Sequence, residues 1–300
     1  MDNNEVLVSI QCLTYNQAPY IRQCLDGFVM QKTNFRFEAI IHDDASTDGT
    51  TDIVREYAAK YPDIIMPIYE VENQYSKNDG SLQRIMDEHC TGKYVAICEG
   101  DDYWIDPYKL QKQVDFLEKN PQYSMVRTNV HRFHQDKGYM EMNFFNHSKE
   151  IKDTKEFYTM HTLWLATCTW LFRNIYSDLD NSNRSKDVFY GDLYLLLQLS
   201  QLGRVKYFKE STAVYRILGD SASHFKSGKD WFYFSWRCKN TRLLFARNCT
   251  LFFRLKFWVM EFLRIGYKAI RASDIKCLGL AIKSVYKDFV ALFLPVVGKS

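Results

Sequence analysis

Glu99, Asp101 and Asp102 fall within four positions of one another in "CEGDDYW" (98–104), directly after the apolar run "YVAI" (94–97). Three carboxylates at the end of a buried strand repel one another unless something positive sits among them. Hard divalent cations take oxygen ligands and bridge to a diphosphate, so Glu99 and Asp101 are candidate ligands for Mn2+ or Mg2+. An acidic turn that merely starts the next helix would explain Asp106 and part of Asp102. It does not explain Glu99 and Asp101 so near a strand end.

The elements that must position these carboxylates are legible upstream. "VLVSIQCLTY" (6–15) places Val6, Val8, Ile10 and Cys12 on one face of a strand, and "FRFEAII" (35–41), "IIMPIYEV" (64–71) and "KYVAIC" (93–98) are further strands. Between them, "PYIRQCLDGFVMQ" (19–31) spaces Ile21, Leu25 and Phe28 helically, and "TDIVREYAAKY" (51–61) is a helix that Ser46, Thr47, Asp48 or Thr50 could cap. A helix over 81–90 precedes the fourth strand. Alternating strands and helices predict an α/β fold with a mostly parallel open sheet, whose ligands bind beyond the carboxyl ends of the strands. "TYNQ" (14–17), "HDDASTDGT" (42–50) and "EGDDYW" (99–104) all fall at such ends. In "DPYKLQKQVDFLEKNP" (106–121), Asp106 caps, Pro107 takes the first turn, and Leu110, Val114 and Leu117 face inward. Beyond it the alternation becomes irregular: "YSMVRTNVHRF" (123–133), "ATCTWLFR" (166–173), "RVKYFKE" and "TAVYRI" read as strands and "DLYLLLQLSQLG" (192–203) as a buried helix.

Several function classes drop out. No glycine-rich GxGxxG follows the first strand and no GxxxxGK[ST] occurs, so dinucleotide and P-loop chemistry are excluded. The eight cysteines form no CxxC pair, which disfavours zinc and predicts reduced thiols in a cytoplasmic protein. His131 and His134 stand three apart on a strand and point to opposite faces, so they are read as structural. The N-terminus lacks the pattern of a secretory leader, and no run approaches the roughly 20 apolar residues that cross a bilayer. From Trp231 onward thirteen Lys/Arg face three Asp/Glu, a net of +10, leaving −7 upstream. The acidic body argues against nucleic acid as its partner, and the basic end suggests a separate role.

"VSIQCLTYNQAPYIRQCL", "IIHDDASTDGTTDIV" and "YVAICEGDDYWIDPYKLQKQ" resemble the successive motifs of family-2 glycosyltransferases with the GT-A fold, closely over residues 5–130 and more loosely over 160–225. The resemblance implies a metal-dependent, inverting hexosyl- or N-acetylhexosaminyl-transferase of the kind that builds bacterial polysaccharides and surface glycans. Its donor would be a nucleotide-diphospho-sugar, most often UDP-linked, and its acceptor a hydroxyl of a glycan or of a lipid-linked sugar. By position, Asp44 resembles the aspartate that hydrogen-bonds the base, with Leu13 and Tyr15 lining the base site. "EGD" (99–101) stands where the family's metal-binding DXD lies, with Glu99 in place of the first Asp. Asp102 would orient donor sugar or acceptor hydroxyls, and Arg84 lies on the helix that presents a basic residue to the nucleotide. Asp192 resembles the general base, although Asp before a leucine-rich helix is also an ordinary N-cap. "AVYRILGDSASH" (213–224) resembles the segment that closes over the diphosphate. Arg216 matches it, Leu218 stands where many relatives have His, and His224 is a candidate metal ligand after a shift.

These readings place a GT-A domain over 1–225, with a nucleotide-sugar half at 1–130 and an acceptor half at 131–225, and a basic amphipathic helical tail over 226–300. Along the tail, Arg247, Arg254, Glu261 and Lys268 recur every seven residues, joined by Arg264 and Arg271. This predicts a cationic stripe, either turned toward anionic lipid on the inner face of the cytoplasmic membrane or solvated on a helix packed against the body or a second subunit. Two rivals are a nucleotidyltransferase, which would carry a glycine-rich loop that "LTYNQAPY" lacks, and a silent sugar-nucleotide-binding or assembly subunit.

Overall fold

The computed structural model describes residues 5–77, 79–145, 166–176, 191–219 and 227–293. The chain divides into two compact units, one of residues 1–151, 166–179 and 202–219, the other of residues 152–165, 180–201 and 220–300.

In the first unit, β1 (Val6–Thr14), α1 (Ala18–Val29), β2 (Arg36–Asp43), α2 (Thr50–Lys60), β3 (Ile65–Tyr69), α3 (Gln74–Lys77), α4 (Ser81–His89) and β4 (Tyr94–Ile97) follow one another; the four strands and α1, α2 and α4 are those the periodicity predicts, and the one-turn α3 is additional. β5 (Tyr103–Trp104), α5 (Lys109–Lys119), β6 (Tyr123–His134), β7 (Tyr139–Glu141), a 3-10 turn at Thr167–Thr169, β8 (Leu171–Arg173) and β9 (Arg204–Ile217) follow. The described strands form one nine-stranded sheet ordered β3-β2-β1-β4-β8-β6-β9-β5, with β7 paired to β6. β3, β2, β1 and β4 run parallel, as the α/β reading expects. Val8, Ile10 and Cys12 are buried on one face of β1 and Ser9 and Gln11 on the other, because a parallel sheet is covered on both faces. Ile21, Leu25 and Phe28 of α1 and Leu110, Val114 and Leu117 of α5 join this core at their predicted spacings.

Three local readings change. Gly49, with φ +98°, takes the N-cap of α2, while Asp48 Oδ1 accepts from Thr50 N at 3.0 Å. α5 starts at Lys109 and not at Pro107, because Asp106 Oδ1 accepts from Tyr108 N at 2.9 Å in the turn that leads into it. "RVKYFKE" and "TAVYRI" are one strand. Lys209, Glu210 and Thr212 are the extra residues of an irregularity where Thr128, Asn129 and Val130 pair with Phe208, Ser211 and Ala213. The two histidines are structural: His131 Nδ1 accepts from Asn143 N at 3.0 Å, and His134 stacks on Tyr139 and meets Glu141. All eight cysteines are free thiols.

The second unit holds α6 (Asp192–Leu202) as far as Gln201, then α7 (Gly228–Ala246), α8 (Leu251–Ala272) and α9 (Ile275–Phe293). Ser227 caps α7 by accepting from Asp230 N at 3.1 Å, and Asp274 caps α9 by accepting from Lys276 N and Cys277 N. Phe232 of α7, Ile265 and Ala269 of α8, and Cys277 and Ala281 of α9 form its core. The sequence pattern leads one to expect the cationic stripe of α8 on the outside; the structure turns it inward. Glu261 is buried and accepts from Arg242 at 3.0 Å and Arg264 at 2.7 Å, and Lys239 of α7 pairs with Asp288 of α9 at 2.6 Å. No described helix is long and apolar enough to cross a membrane.

Candidate active site

The carboxyl end of β1 is where the first unit's loops meet. Parallel pairing sets Thr14 beside Asp43 and Gln11 beside Ile97, so the chain leaves β2 and β4 next to the end of β1. The carbonyl of Thr14 accepts from Asp44 N at 3.0 Å and that of Leu13 from Gly100 N at 2.9 Å. The loop after β1 is then laced to the loop after β2. Asn16 N donates to Ser46 Oγ at 2.9 Å, Gln17 N to Thr50 Oγ1 at 2.8 Å and Ala18 N to Asp48 Oδ2 at 2.9 Å. Asn16 and Ala45 hold left-handed backbones, φ +51° and +64°, at this crossing, a local strain common at functional loops.

Leu13, Tyr15, Asp44, Glu99, Asp101 and Asp102 all belong to these converging loops. Leu13 is half-buried and Tyr15 exposed. Asp44 is buried, and its two carboxylate oxygens accept from Gln74 N at 2.6 Å and Tyr75 N at 3.0 Å, which caps α3. Asp44 therefore ties the loops after β1, β2 and β3 together. Arg84 is exposed and donates to the carbonyl of Asp79 at 3.0 Å, which closes the turn before α4.

The carboxylates of the acidic loop differ in burial. Glu99 and Asp101 are half-buried on either side of Gly100, and burial holds the Asp101 carboxyl above its ordinary range. Asp102, only 2% exposed, is turned into the core, where its Oδ1 accepts from Arg216 N at 2.8 Å. Burial pushes its carboxyl well up, the negative charges of Asp101 and Glu99 add to this, and the Arg216 amide and Cys168 thiol oppose it. Asp102 thus lies beneath the loop, bonded to the backbone amide of Arg216.

Arg216, on the strand that resembles the diphosphate-covering segment, is likewise buried. It is 6% exposed, and its guanidinium donates to the carbonyl of Asp101 at 2.7 Å, to Gln135 Oε1 at 2.7 Å and to Gln23 Oε1 at 2.8 Å. The rings of Tyr20 and Tyr103 pack on it with centroids at 4.8 and 5.2 Å. β5, paired to β9 through Tyr103↔Val214, closes the acidic loop against the strand that carries Arg216. Gln23, Gln135 and Tyr20 carry no chemical signature in the sequence and were not legible there.

Around Gly100 lies a cradle of oxygens. A Cβ at this position would stand 2.4 Å from Gln17 Oε1 and 2.8 Å from Thr14 Oγ1, and both oxygens are buried without a hydrogen-bond partner. Among the described residues, no three His, Cys, Asp or Glu converge as a protein-only metal site. None is needed by a cation such as Mg2+ that is held through one or two carboxylates, water and phosphate oxygens. Glu99 and Asp101, with the oxygens of Thr14 and Gln17 nearby, fit that kind of ion. The other expected ligand, His224, lies outside the described residues.

Asp192 belongs to the second unit. It is half-buried at the first turn of α6, where its Oδ1 accepts from Leu193 N at 2.7 Å. Burial raises its carboxyl to about 6, with only the Leu193 amide opposing. A typical N-cap carboxylate accepts from an amide two or three residues on. The bond to the adjacent amide thus sets Asp192 apart from the ordinary cap.

Known proteins agree with this architecture. The family model "Glycosyl transferase family 2" matches residues 9–179. An uncharacterized protein of Mycobacterium tuberculosis is 44% identical over 131 residues, 43% of this chain and 36% of that protein. The UDP-Glc:α-D-GlcNAc-diphosphoundecaprenol β-1,3-glucosyltransferase WfaP of Escherichia coli is 33% identical over 112 residues, 37% of this chain and 41% of WfaP. The matched segment thus spans less than half the length of either relative. Among solved structures, residues 1–349 of Staphylococcus aureus TarS in complex with UDP superpose with a TM-score of 0.59 at 15% identity, covering 97% of this chain and 76% of that one. The mannosyltransferase PcManGT of Pyrobaculum calidifontis, in complex with GDP-Man and Mn2+, gives 0.57 at 17% identity, covering 100% and 78%. At these identities the superpositions speak for the GT-A fold alone. Since the family match takes in more than half of the residues and falls on this sheet and its converging loops, the chain belongs to glycosyl transferase family 2.

Proposed function

We propose that the chain is an inverting glycosyltransferase that moves a sugar from a UDP-linked donor to a hydroxyl of a glycan or lipid-linked acceptor in bacterial surface-glycan synthesis. The observation that carries this reading is the meeting of three loops at the end of β1, with Glu99 and Asp101 half-buried on either side of Gly100 and Asp44 tying the loops together. WfaP supports the donor and acceptor classes by its name, and TarS with UDP supports the nucleotide. The free thiols fit a reducing, cytoplasmic setting.

In this reading Leu13, Tyr15 and Asp44 receive the base, and Glu99 and Asp101 hold a divalent cation, a reading supported by the presence of Mn2+ in the PcManGT complex. When bound, the cation would neutralise the departing diphosphate. Arg216 and Asp102 fix the loop that presents the two carboxylates. Asp192 takes the proton of the acceptor hydroxyl. That oxygen forms the new bond to the anomeric carbon as the bond to the diphosphate oxygen breaks, and its electrons leave with the diphosphate. A carboxyl near 6 is ionised at neutral pH yet basic enough to accept the proton, a role typically worth about 10²–10⁴-fold. Calorimetry of UDP binding with Mn2+ and with EDTA, on the wild type and Asp101→Ala, tests the donor site. Metal-dependent binding lost in the variant is expected. Absence of UDP binding under both conditions would remove the nucleotide assignment.

A further inference from the structure

α8 turns most of its charges inward beside Phe257, Ile265 and Ala269, and presents a second apolar face outward. Arg254, Glu261, Arg264 and Lys268 are buried or half-buried, whereas Phe252 (78% exposed), Leu255, Val259, Leu263 and Ile270 are exposed. At 3.6 residues per turn these five form one stripe along the helix. α9 repeats the arrangement. Cys277, Ala281, Ser284, Asp288 and Leu292 face in, and Ile275 (86% exposed), Leu278, Ile282, Tyr286 (76% exposed) and Phe289 face out. Between the stripes, Trp258, Phe262, Ile282, Val285, Tyr286 and Phe289 line an apolar groove of about 540 Å³. Contiguous apolar surface of this extent on a water-facing bundle marks an interaction site.

The rim of this surface identifies the partner. Lys276, Lys283 and Lys287, all exposed, stand at i, i+7 and i+11 along one edge of the α9 stripe, and exposed Lys256 and Arg271 border that of α8. The acids are withdrawn from the rim. Glu261 and Asp288 are buried in ion pairs, and Asp274 is bound to Lys229 and to the first amides of α9. A second copy of the chain would set lysine rim against lysine rim with no exposed acid on either helix to answer it. An anionic bilayer answers both features, since acyl chains take the apolar stripe and headgroup phosphates take the lysines.

We propose that α8 and α9 are a docking surface for an anionic lipid bilayer, lying in its interfacial layer with the apolar stripes among the acyl chains and Lys276, Lys283 and Lys287 at the headgroups. This is independent of the donor chemistry, because sedimentation with vesicles reads it without turnover. The full chain is expected to sediment with vesicles enriched in phosphatidylglycerol and far less with pure phosphatidylcholine. Replacing Lys276, Lys283 and Lys287 together by Gln should cut that affinity on the order of a hundredfold. Ile282→Asp should abolish binding while leaving the helical circular dichroism unchanged, because the side chain it replaces is exposed. Equal sedimentation of the triple variant, or equal binding to both vesicle types, would overturn the electrostatic fit. No binding to either, together with a dimer that Ile282→Asp converts to a monomer, would give the surface to a second copy and end the bilayer reading.

Discussion

Arg216→Met distinguishes a loop clamp from a ligand of the diphosphate. The wild-type guanidinium makes three hydrogen bonds of 2.7–2.8 Å, one of them to the carbonyl of Asp101, while packed against two tyrosine rings. Hydrogen bonds from a charged donor contribute about 1.5–3 kcal/mol each. Their sum overstates the loss, because the buried cation's desolvation cost is relieved when it is removed and a methionine refills much of the stem volume. Removing one partner from a buried charged network costs about 3–5 kcal/mol. For a unit of this size that corresponds to a fall in melting temperature of about 6–20 °C. Thermal melts and UDP calorimetry on the same samples separate the alternatives. A clamp predicts a large loss of stability with weakened nucleotide binding as a consequence. It also predicts that Arg216→Lys melts nearly as low as Arg216→Met, since one ammonium cannot reach three diverging acceptors. A Met variant that melts within about 2 °C of the wild type, a shift worth less than one hydrogen bond, but no longer binds UDP would refute the clamp and turn Arg216 toward the ligand.

Asp192→Asn should lower turnover about 10²–10⁴-fold while UDP affinity stays unchanged, and unchanged turnover would remove the base assignment. Because burial raises Asp192 to about 6, the wild-type rate should fall as pH drops through 6. The same raised value means that its contribution to stability is largest below its unfolded pKa and is lost as pH rises through 6. Asp192→Asn should therefore melt no lower than the wild type at pH values above that range, which a differential scanning measurement checks. Gly100→Ala should place a methyl within 2.8 Å of Thr14 Oγ1, costing about 1–3 kcal/mol and displacing Glu99 and Asp101, read as lost metal-dependent UDP binding. Glu261→Gln should destabilise the chain by about 3–5 kcal/mol in thermal or urea melts, because buried Arg242 and half-buried Arg264 lose their shared counter-charge.

What could be read in advance was local or periodic. The order of strand and helix up to β4 follows from apolar spacing. The position of "EGDD" at a strand end follows from that order, and with it the convergence at the end of β1. Nothing in the residue types showed that buried oxygens of Thr14 and Gln17 close around Gly100. What could not be read depends on which way a side chain turns once the chain has folded. Asp101 and Asp102 are the same residue side by side, yet one is half-buried and the other is pinned under the loop by an amide more than a hundred residues later. Lys109 and Gln113 look like the polar face of α5. They are buried, with Lys109 Nζ donating to Gln113 Oε1 at 2.8 Å, lying 4.3 Å from the Trp104 ring and lowered by burial to about 7.

The tail makes the same point with the opposite sign. A stripe of Arg254, Glu261 and Lys268 beside apolar residues fixes that α8 is amphipathic, but periodicity alone does not say which face is covered. The water-soluble convention assigns the apolar face to the core. α8 follows it in part, with Phe257, Ile265 and Ala269 in the core, but two ion pairs share that interior. Glu261 is answered by Arg242 from α7, and Asp288 of α9 is answered by Lys239, so the charged faces meet one another inside. Buried ion pairs of this kind add little net stability over apolar packing and are costly once broken, which makes them poor building material for an ordinary core. They become reasonable when the apolar faces have another use, and the exposed stripes of α8 and α9, edged by lysine and arginine, supply one.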